Sequence, residues 1–228
     1  MADNNKKGNF SSLSQGEGRG EALITGAEAL MRSLEHQGVK TIFGYPGGSI
    51  MPVFDALYDH RKELNHILVR HEQGATHAAQ GFARVSGEVG VCLVTSGPGA
   101  TNTITGIADA MIDSTPIVVI AGQVGTNFLG TDAFQEVDIV GMTRSITKYG
   151  VTVRRREDLG KIIKMAFYIA QTGKPGPVLI DIPKDIQTAS GPAEYPDSVQ
   201  IRGYKPNESV HIGQLKKAYK LLKSAKKP

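Results

Sequence analysis

Apolar positions along the chain follow two alternating rhythms. Runs in which nearly every residue is apolar, "VKTIF" (39–43), "HILV" (66–69), "VCLVT" (91–95), "PIVVIAG" (116–122) and "PVLIDIP" (177–183), predict short strands buried on both faces. Between them lie stretches with apolar residues three or four apart. "TGAEALMRSLEHQG" (25–38) predicts a helix with Thr25 and Glu28 as a capping box and Gly38 as its stop. "SIMPVFDALYDH" (49–60) predicts a second, with Pro52 tolerated near its start. A third runs from Glu72 to about Val85, and a fourth leaves the loop "SGPGATN" (96–102) and continues through Met111. "REDLGKIIKMAFYIAQTG" (156–173) predicts an amphipathic helix with Ile162, Ile163, Ala166, Phe167 and Ile169 on its buried side. "TKYGVTV" (147–153) fits an edge strand, and "QVGTNFLGTDAFQEVD" (123–138) a long irregular loop.

Apolar strands alternating with helices argue an α/β fold, a parallel sheet with helices on both faces. After Pro183 the rhythm stops. "QTASGPAEYPDSVQIRGYKPNESV" holds turn formers without period, and a basic helix over about 211–224 follows. The expected organisation is a disordered tail (1–20), one α/β domain (21–188), a linker (189–208) and the start of a truncated second domain (209–228).

Composition narrows the function classes. Of 228 residues, 40% are hydrophobic and 21% charged, the balance of a soluble globular chain, and no apolar run approaches a membrane span. The opening "MADNNKKGNFSSLSQGEGRG" lacks the apolar core of a secretory signal and carries acids that transit peptides avoid. The single cysteine, Cys92, leaves no intramolecular disulfide and fits a reducing compartment, so a cytoplasmic location is expected. The net charge of +4 is concentrated in "QLKKAYKLLKSAKKP" without interleaved aromatics, which reads as a solvated helix face rather than a nucleic-acid surface.

Two glycine loops invite a nucleotide reading and fail it. "SGPGATN" matches the first two glycines of a dinucleotide fingerprint, but Asn102 stands at the third and no acid ends the next strand. "GYPGGS" (44–49) lacks the Gly-Lys-Ser/Thr of a P-loop. What remains is that "GYPGGS", "RHEQGA" (70–75) and "SGPGATN" each follow a strand, so they gather at the sheet's carboxyl edge, where open α/β sheets bind ligands. Glu72 sits there, just past a strand and opening a helix. The helix N-terminus stabilises a carboxylate at such a position, while an apolar pocket favours the protonated form. His71 has no second metal ligand at suitable spacing, and a local hydrogen-bonding role is expected for it.

The motifs "FGYPGGSIMPVFDAL", "HEQGATHAAQGFAR", "TSGPGATNTITGIADA", "GTDAFQEVDIV" and "GKPGPVLIDIPKD" together resemble the amino-terminal, pyrimidine-binding domain of thiamine-diphosphate enzymes. Among these they are most similar to the catalytic subunits of acetolactate (acetohydroxyacid) synthases. The match runs from about Thr25 to Lys184. The resemblance implies that Glu72 bonds N1′ of the cofactor's aminopyrimidine, promoting proton removal from the thiazolium C2. It implies that Gly47 and Gly48 pack close to cofactor and substrate, and that Gln135 also contacts the site. Phe134 and Lys184 would line the substrate channel; on the residues alone they read equally as a core aromatic and a solvated charge. Members of this family also bind FAD through an arginine, for which this chain has Lys174, a charge without the planar fork.

The resemblance further implies Mg²⁺, held with the diphosphate by a domain marked by Gly-Asp-Gly and, downstream of it, paired asparagines, a combination that does not occur in this sequence. No metal ligand is therefore expected in this chain. Implied partners are pyruvate and 2-oxobutyrate, a homodimer or tetramer sharing its sites between subunits, and a regulatory small subunit, with neither nucleic acid nor membrane. The expected activity is condensation of two pyruvates, or pyruvate with 2-oxobutyrate, with loss of CO₂, by a longer protein of which this chain is the front portion, inactive alone. The alternatives are the pyrimidine-binding subunit of a split thiamine-dependent decarboxylase, or a related carboligase such as glyoxylate carboligase.

Overall fold

Thr25 starts the first helix as its side chain predicts. In the computed structural model, which describes residues 23–207 and 209–227, its Oγ1 accepts a hydrogen bond from the Glu28 amide at 3.1 Å. The reciprocal half of the capping box is not made. The Glu28 carboxylate accepts instead from Arg32 Nε at 2.6 Å and pairs with His60 Nε2 at 3.0 Å, because charged partners outbid a backbone amide. Gly38 ends the helix with φ of 76°. The expected tail lies outside the described residues.

In chain order the elements are β1 (Ile24–Thr25), α1 (Gly26–His36), β2 (Thr41–Gly44), α2 (Met51–Asp59), β3 (Asn65–Leu68), α3 (Glu72–Ser86), β4 (Gly90–Val94), α4 (Pro98–Thr101) and α5 (Ile104–Ile112). Then follow β5 (Ile117–Gln123), α6 (Ile139–Thr143), β6 (Tyr149–Thr152), α7 (Leu159–Gln171), β7 (Val178–Pro183), α8 (Lys184–Thr188), β8 (Ser190–Gly191) and α9 (Ile212–Ser224). Six strands form one parallel sheet in the order β3-β2-β4-β5-β7-β6. The α/β architecture expected from the alternating rhythms is the one observed.

Period-two alternation divides the strand side chains between two apolar layers. Ile42, Val91, Leu93, Val118, Ile120, Val178 and Ile180 face α1, α2 and α7, packing on Leu30, Leu34, Val53, Leu57, Ile163 and Phe167. Phe43, Cys92, Val94, Val119, Ala121 and Leu179 face the other way, toward Ala75, Ala79, Ile107 and Ala110 of α3 and α5. Small residues on α3 let it lie close to the sheet. A Cβ on Gly90 would stand 2.1 Å from the Ala79 carbonyl oxygen.

Three local readings shift. "HILV" forms the edge strand β3 with Ile67 and Leu68 exposed, since only β2 pairs with it; an apolar run does not distinguish an edge from a centre. The helix after "SGPG" is broken, α4 beginning inside the loop and α5 resuming at Ile104. Ile162 is only half-buried, whereas Ile163, Ala166, Phe167 and Ile169 are buried. "TKYGVTV" supplies the expected edge strand, β6.

Residues past the last sheet strand lie against the domain. β8 pairs antiparallel with β1, and the Arg156 guanidinium donates to the carbonyls of both Ile24 and Gly191 at 3.0 and 3.1 Å. Tyr195 stacks on His36, and the Tyr204 hydroxyl meets Thr172 and the Lys148 ammonium at the end of α7. The side chains of α9 are exposed throughout.

Candidate functional site

The loops after β2, β3, β4, β5 and β7 converge at the carboxyl edge of the sheet, and a hydrogen-bonded set of side chains joins them. His71 caps α3: its Nδ1 accepts from the Gln73 amide at 3.2 Å, the local role expected for it. The next residue, Glu72, is 8% exposed although it carries a carboxyl group. Its Oε2 accepts from Asn102 Nδ2 at 2.9 Å, and its Oε1 lies 3.2 Å from where a Cβ on Gly99 would stand. The α3 N-terminus and the Asn102 amide both favour negative charge here. Charge and burial also act on Cys92 on the neighbouring strand: its thiol is pushed far up, first by burial and then by Glu72, so it stays protonated and is no nucleophile.

The β4 loop supports this arrangement from below. Gly97 takes φ of 56°, which only a glycine adopts at little cost, and turns the chain so that Gly99 abuts Glu72. Thr95 Oγ1 accepts from the Ser49 amide at 3.3 Å, and Ser96 Oγ donates to Ser49 Oγ at 2.8 Å. Ser49 in turn offers its carbonyl to Gln187 Nε2 at 2.7 Å, which ties α8 to the "GYPGGS" loop.

The expected site residues divide into those this edge gathers and one it does not. Gly47 packs on Thr95, where a Cβ would lie 2.5 Å from Cγ2, while a Cβ on Gly48 would meet nothing within 4 Å. Gln135, itself at φ of 59°, sets its carbonyl oxygen 2.7 Å from a Cβ on Gly97, so the "DAFQE" loop seats on the glycine turn beside Glu72. Phe134 on that loop is 88% exposed, which removes the core-packing alternative. Lys184 begins α8 at the same edge, beside a cleft of about 730 Å³ that Met51, Phe54 and Tyr58 also line. Lys174 stands apart. It precedes β7, and its Nζ donates to the Met111 carbonyl at 3.3 Å at the opposite, amino edge. Among the described residues no group of three or more His, Cys, Asp or Glu is placed to hold a metal ion. No described helix is long and apolar enough to cross a membrane.

Sequence reasoning missed Asn102 as a partner of Glu72, and Thr95, Ser49 and Ser96 as the ties between loops. Asn102 lies 30 residues beyond Glu72 and registered only as a departure from a dinucleotide fingerprint. Chemically, the edge beside Gly99 presents the buried Glu72 carboxylate with a single amide donor, a glycine wall against it and open space at Gly48. Such a group can share a proton with a heteroatom of a flat ligand laid against the glycines.

Comparison with known proteins agrees with this geometry. The family described as thiamine pyrophosphate enzyme, N-terminal TPP binding domain, matches residues 24–142. The chain is 53% identical over 205 residues to the acetolactate synthase large subunit of Mycobacterium tuberculosis, covering 90% of this chain and 33% of that protein. It is 51% identical to the acetolactate synthase isozyme 3 large subunit of Escherichia coli, covering 90% of this chain and 36% of that one. A probable acetolactate synthase large subunit of Methanocaldococcus jannaschii is 52% identical, with 90% of this chain and 35% of the relative covered. The chain thus spans about a third of the length of the curated relatives it matches. The aligned region takes in "GYPGG", Glu72 and the "SGPG" loop alike, and the chain belongs to the thiamine pyrophosphate enzymes, as their N-terminal TPP-binding domain.

Proposed function

We propose that this chain is the pyrimidine-binding part of a thiamine-diphosphate-dependent acetolactate synthase, condensing two pyruvates, or pyruvate with 2-oxobutyrate, with loss of CO₂. The observation that carries the reading is Glu72, buried at the carboxyl edge between Asn102 and Gly99. A buried carboxylate with one donor and a glycine wall fits an aminopyrimidine ring edge, and the relatives named acetolactate synthase large subunit supply the reaction class. Bound thiamine diphosphate supplies the carbanion chemistry of the reaction.

The chain's own residues hold and orient. Glu72 holds a proton at N1′ of the pyrimidine and exchanges it there. Asn102 keeps the Glu72 carboxylate turned toward Gly99, and Gly47, Gly48 and Gly97 keep the edge low enough for a ring to approach. Phe134 and Lys184 flank the approach of the keto acid, and Gln135 positions the loop between them. Mg²⁺ and the diphosphate would be held by a segment outside this chain, Lys174 would supply a positive charge toward FAD, and a homodimer or tetramer with a regulatory small subunit would complete the site. The lone, buried Cys92 supports a reducing, cytoplasmic setting. The relatives do not favour a split decarboxylase or glyoxylate carboligase.

The test uses the full-length protein, with acetolactate formed from pyruvate as the readout. Activity is expected to require thiamine diphosphate, and Glu72→Gln to lower kcat by roughly 10²–10⁴-fold, the usual contribution of positioned acid–base groups. Turnover within about tenfold of the unmodified protein would remove Glu72 from this role. The isolated chain is expected to form no acetolactate, and robust turnover by it would overturn the proposal that the remaining binding groups lie elsewhere.

A further inference from the structure

Asp181 and Glu72 are the two buried carboxylates among the described residues, and the chemistry above uses only Glu72. Asp181 is 2% exposed, near the carboxyl end of β7, paired in register with Ala121 on β5 and Thr152 on β6. Its Oδ2 accepts from Gln123 Nε2 at 3.3 Å and from Thr152 Oγ1 at 3.1 Å, and its Oδ1 is buried without a partner. Gln123 does more than meet Asp181. The same amide nitrogen donates to the Val137 carbonyl at 3.0 Å, and Oε1 accepts from the Val124 amide at 2.9 Å.

Those bonds fix both ends of the segment from 124 to 138 to the last residue of β5. Inside the segment, the amides of Gly130 and Thr131 donate to the Glu136 carboxylate, which closes the loop on itself. The loop then offers Phe134 to solvent and seats Gln135 on Gly97, two residues before the glycine that abuts Glu72. A continuous line of contacts therefore runs from Asp181 through Gln123 and Val137 to the candidate site.

We propose that Asp181, acting through Gln123, is a positioning residue that fastens the loop bearing Phe134 and Gln135 against the glycine turn beside Glu72. Gln123 has two amide hydrogens and two acceptors for them, Val137 O and Asp181 Oδ2. Without Asp181 one hydrogen is left buried and the amide is free to turn away from Val137. The link to catalysis rests on the thiamine-dependent reading; the link between Asp181 and the loop does not.

The carboxyl gives this latch a pH signature. Burial pushes Asp181 up to about 7, and the nearby Asp138 charge adds to it; the hydrogen bonds from Gln123 and Thr152 and the Arg154 charge oppose it. The charged groups facing it are Asp138 and Glu136 from the loop and Arg154 from the segment after β6; β5 contributes only the neutral Gln123. Neutral Asp181 is compatible with a dry seat, whereas an ionised one draws in water at its unpartnered Oδ1. Lifting the loop returns the carboxyl toward its ordinary value of 3.8. The folded value is raised, so the latch is tight at low pH. It weakens by up to roughly tenfold per pH unit from about pH 4 to about pH 7 and levels off above.

Hydrogen exchange of the Val124, Gly130 and Thr131 amides in this chain, corrected for intrinsic rate, tests the proposal without cofactor or substrate. Failure here would leave the Glu72 reading intact, and failure of that reading would leave this test unaffected. Protection is expected to fall by about tenfold or more between pH 5 and pH 7. Asp181→Asn, which keeps the shape and an acceptor but does not titrate, is expected to keep the loop protected with a flat pH dependence. Gln123→Leu is expected to speed exchange at Val124 about tenfold at every pH while β4 amides stay protected. An Asp181→Asn chain with the same pH slope as the unmodified one, or a Gln123→Leu chain with unchanged Val124 exchange, would overturn it.

Discussion

Adjacent glycines in "GYPGGS" answer to different constraints, and one methyl group on each separates them. Replacing Gly47 by alanine places a Cβ 2.5 Å from Thr95 Cγ2, 2.6 Å from its Cβ and 2.8 Å from its Oγ1. Rotating Thr95 about χ1 moves Cγ2 and Oγ1 but leaves its Cβ in place, so no rotamer relieves the overlap. The two loops must part, which strains the Ser49 amide bond to Thr95 Oγ1. Overpacking of this kind costs about 1–3 kcal/mol, and a strained hydrogen bond adds up to about 1 kcal/mol. At about 2–4 °C per kcal/mol for a chain of this size, Gly47→Ala is expected to melt several degrees lower. Gly48→Ala meets no atom within 4 Å and needs no unusual backbone angle, so its melting temperature is expected to hold or rise slightly. If the space at Gly48 receives the cofactor, the same change weakens thiamine diphosphate binding in the full-length protein. Circular-dichroism melts of the two variants decide the structural half. A Gly47→Ala chain melting within about 1 °C of the unmodified one, or Gly48→Ala falling equally far, would refute the reasoning.

Other expectations concern the scaffold. Leu30, fully buried between α1 and the sheet, is expected to cost about 2–5 kcal/mol on truncation to alanine, read as a shift in the urea midpoint. Removing the α1 cap in Thr25→Ala is expected to cost about 1 kcal/mol by the same measurement. His60 joins α2 to α1 through Glu35 at 2.5 Å and Glu28 at 3.0 Å. Burial disfavours its charged ring, but the two carboxylates outweigh burial and raise its pKa above 6.5. The stability it contributes is therefore complete below 6.5 and is lost as pH rises through the raised value. Urea midpoints followed from about pH 5.5 to 8.5 are expected to fall in the unmodified chain and less so in His60→Gln; parallel curves would discount the ion pairs.

The parts of this molecule that repeat a simple rule were legible from sequence. Parallel central strands carry apolar side chains on both faces, so "VCLVT" and "PIVVIAG" announced their burial directly. Edge position did not show in "HILV", because an apolar run records its local environment only partly and says nothing of how many strands flank it. The packed course of residues 190–204 was equally silent. It depends on Arg156 reaching carbonyls 132 and 35 positions away and on single aromatic contacts, none of which leaves a period in the sequence.

The candidate site divides along the same line. That three strand-ending loops share one edge follows from parallel topology, so the sequence pattern alone brings Glu72, Gly47, Gly48 and the "SGPG" turn together. Which side chain would hold Glu72 did not follow, since the partner had to come from across the sheet. In the sequence Asn102 stands out only as a departure from a glycine fingerprint. In the fold that departure acquires a function: a third glycine at this position would give Glu72 no side-chain donor, whereas the Asn102 amide satisfies one carboxylate oxygen and leaves the other toward Gly99. The residue that excluded a dinucleotide is thus the one that fixes the orientation of the acid serving the pyrimidine in the proposed reaction.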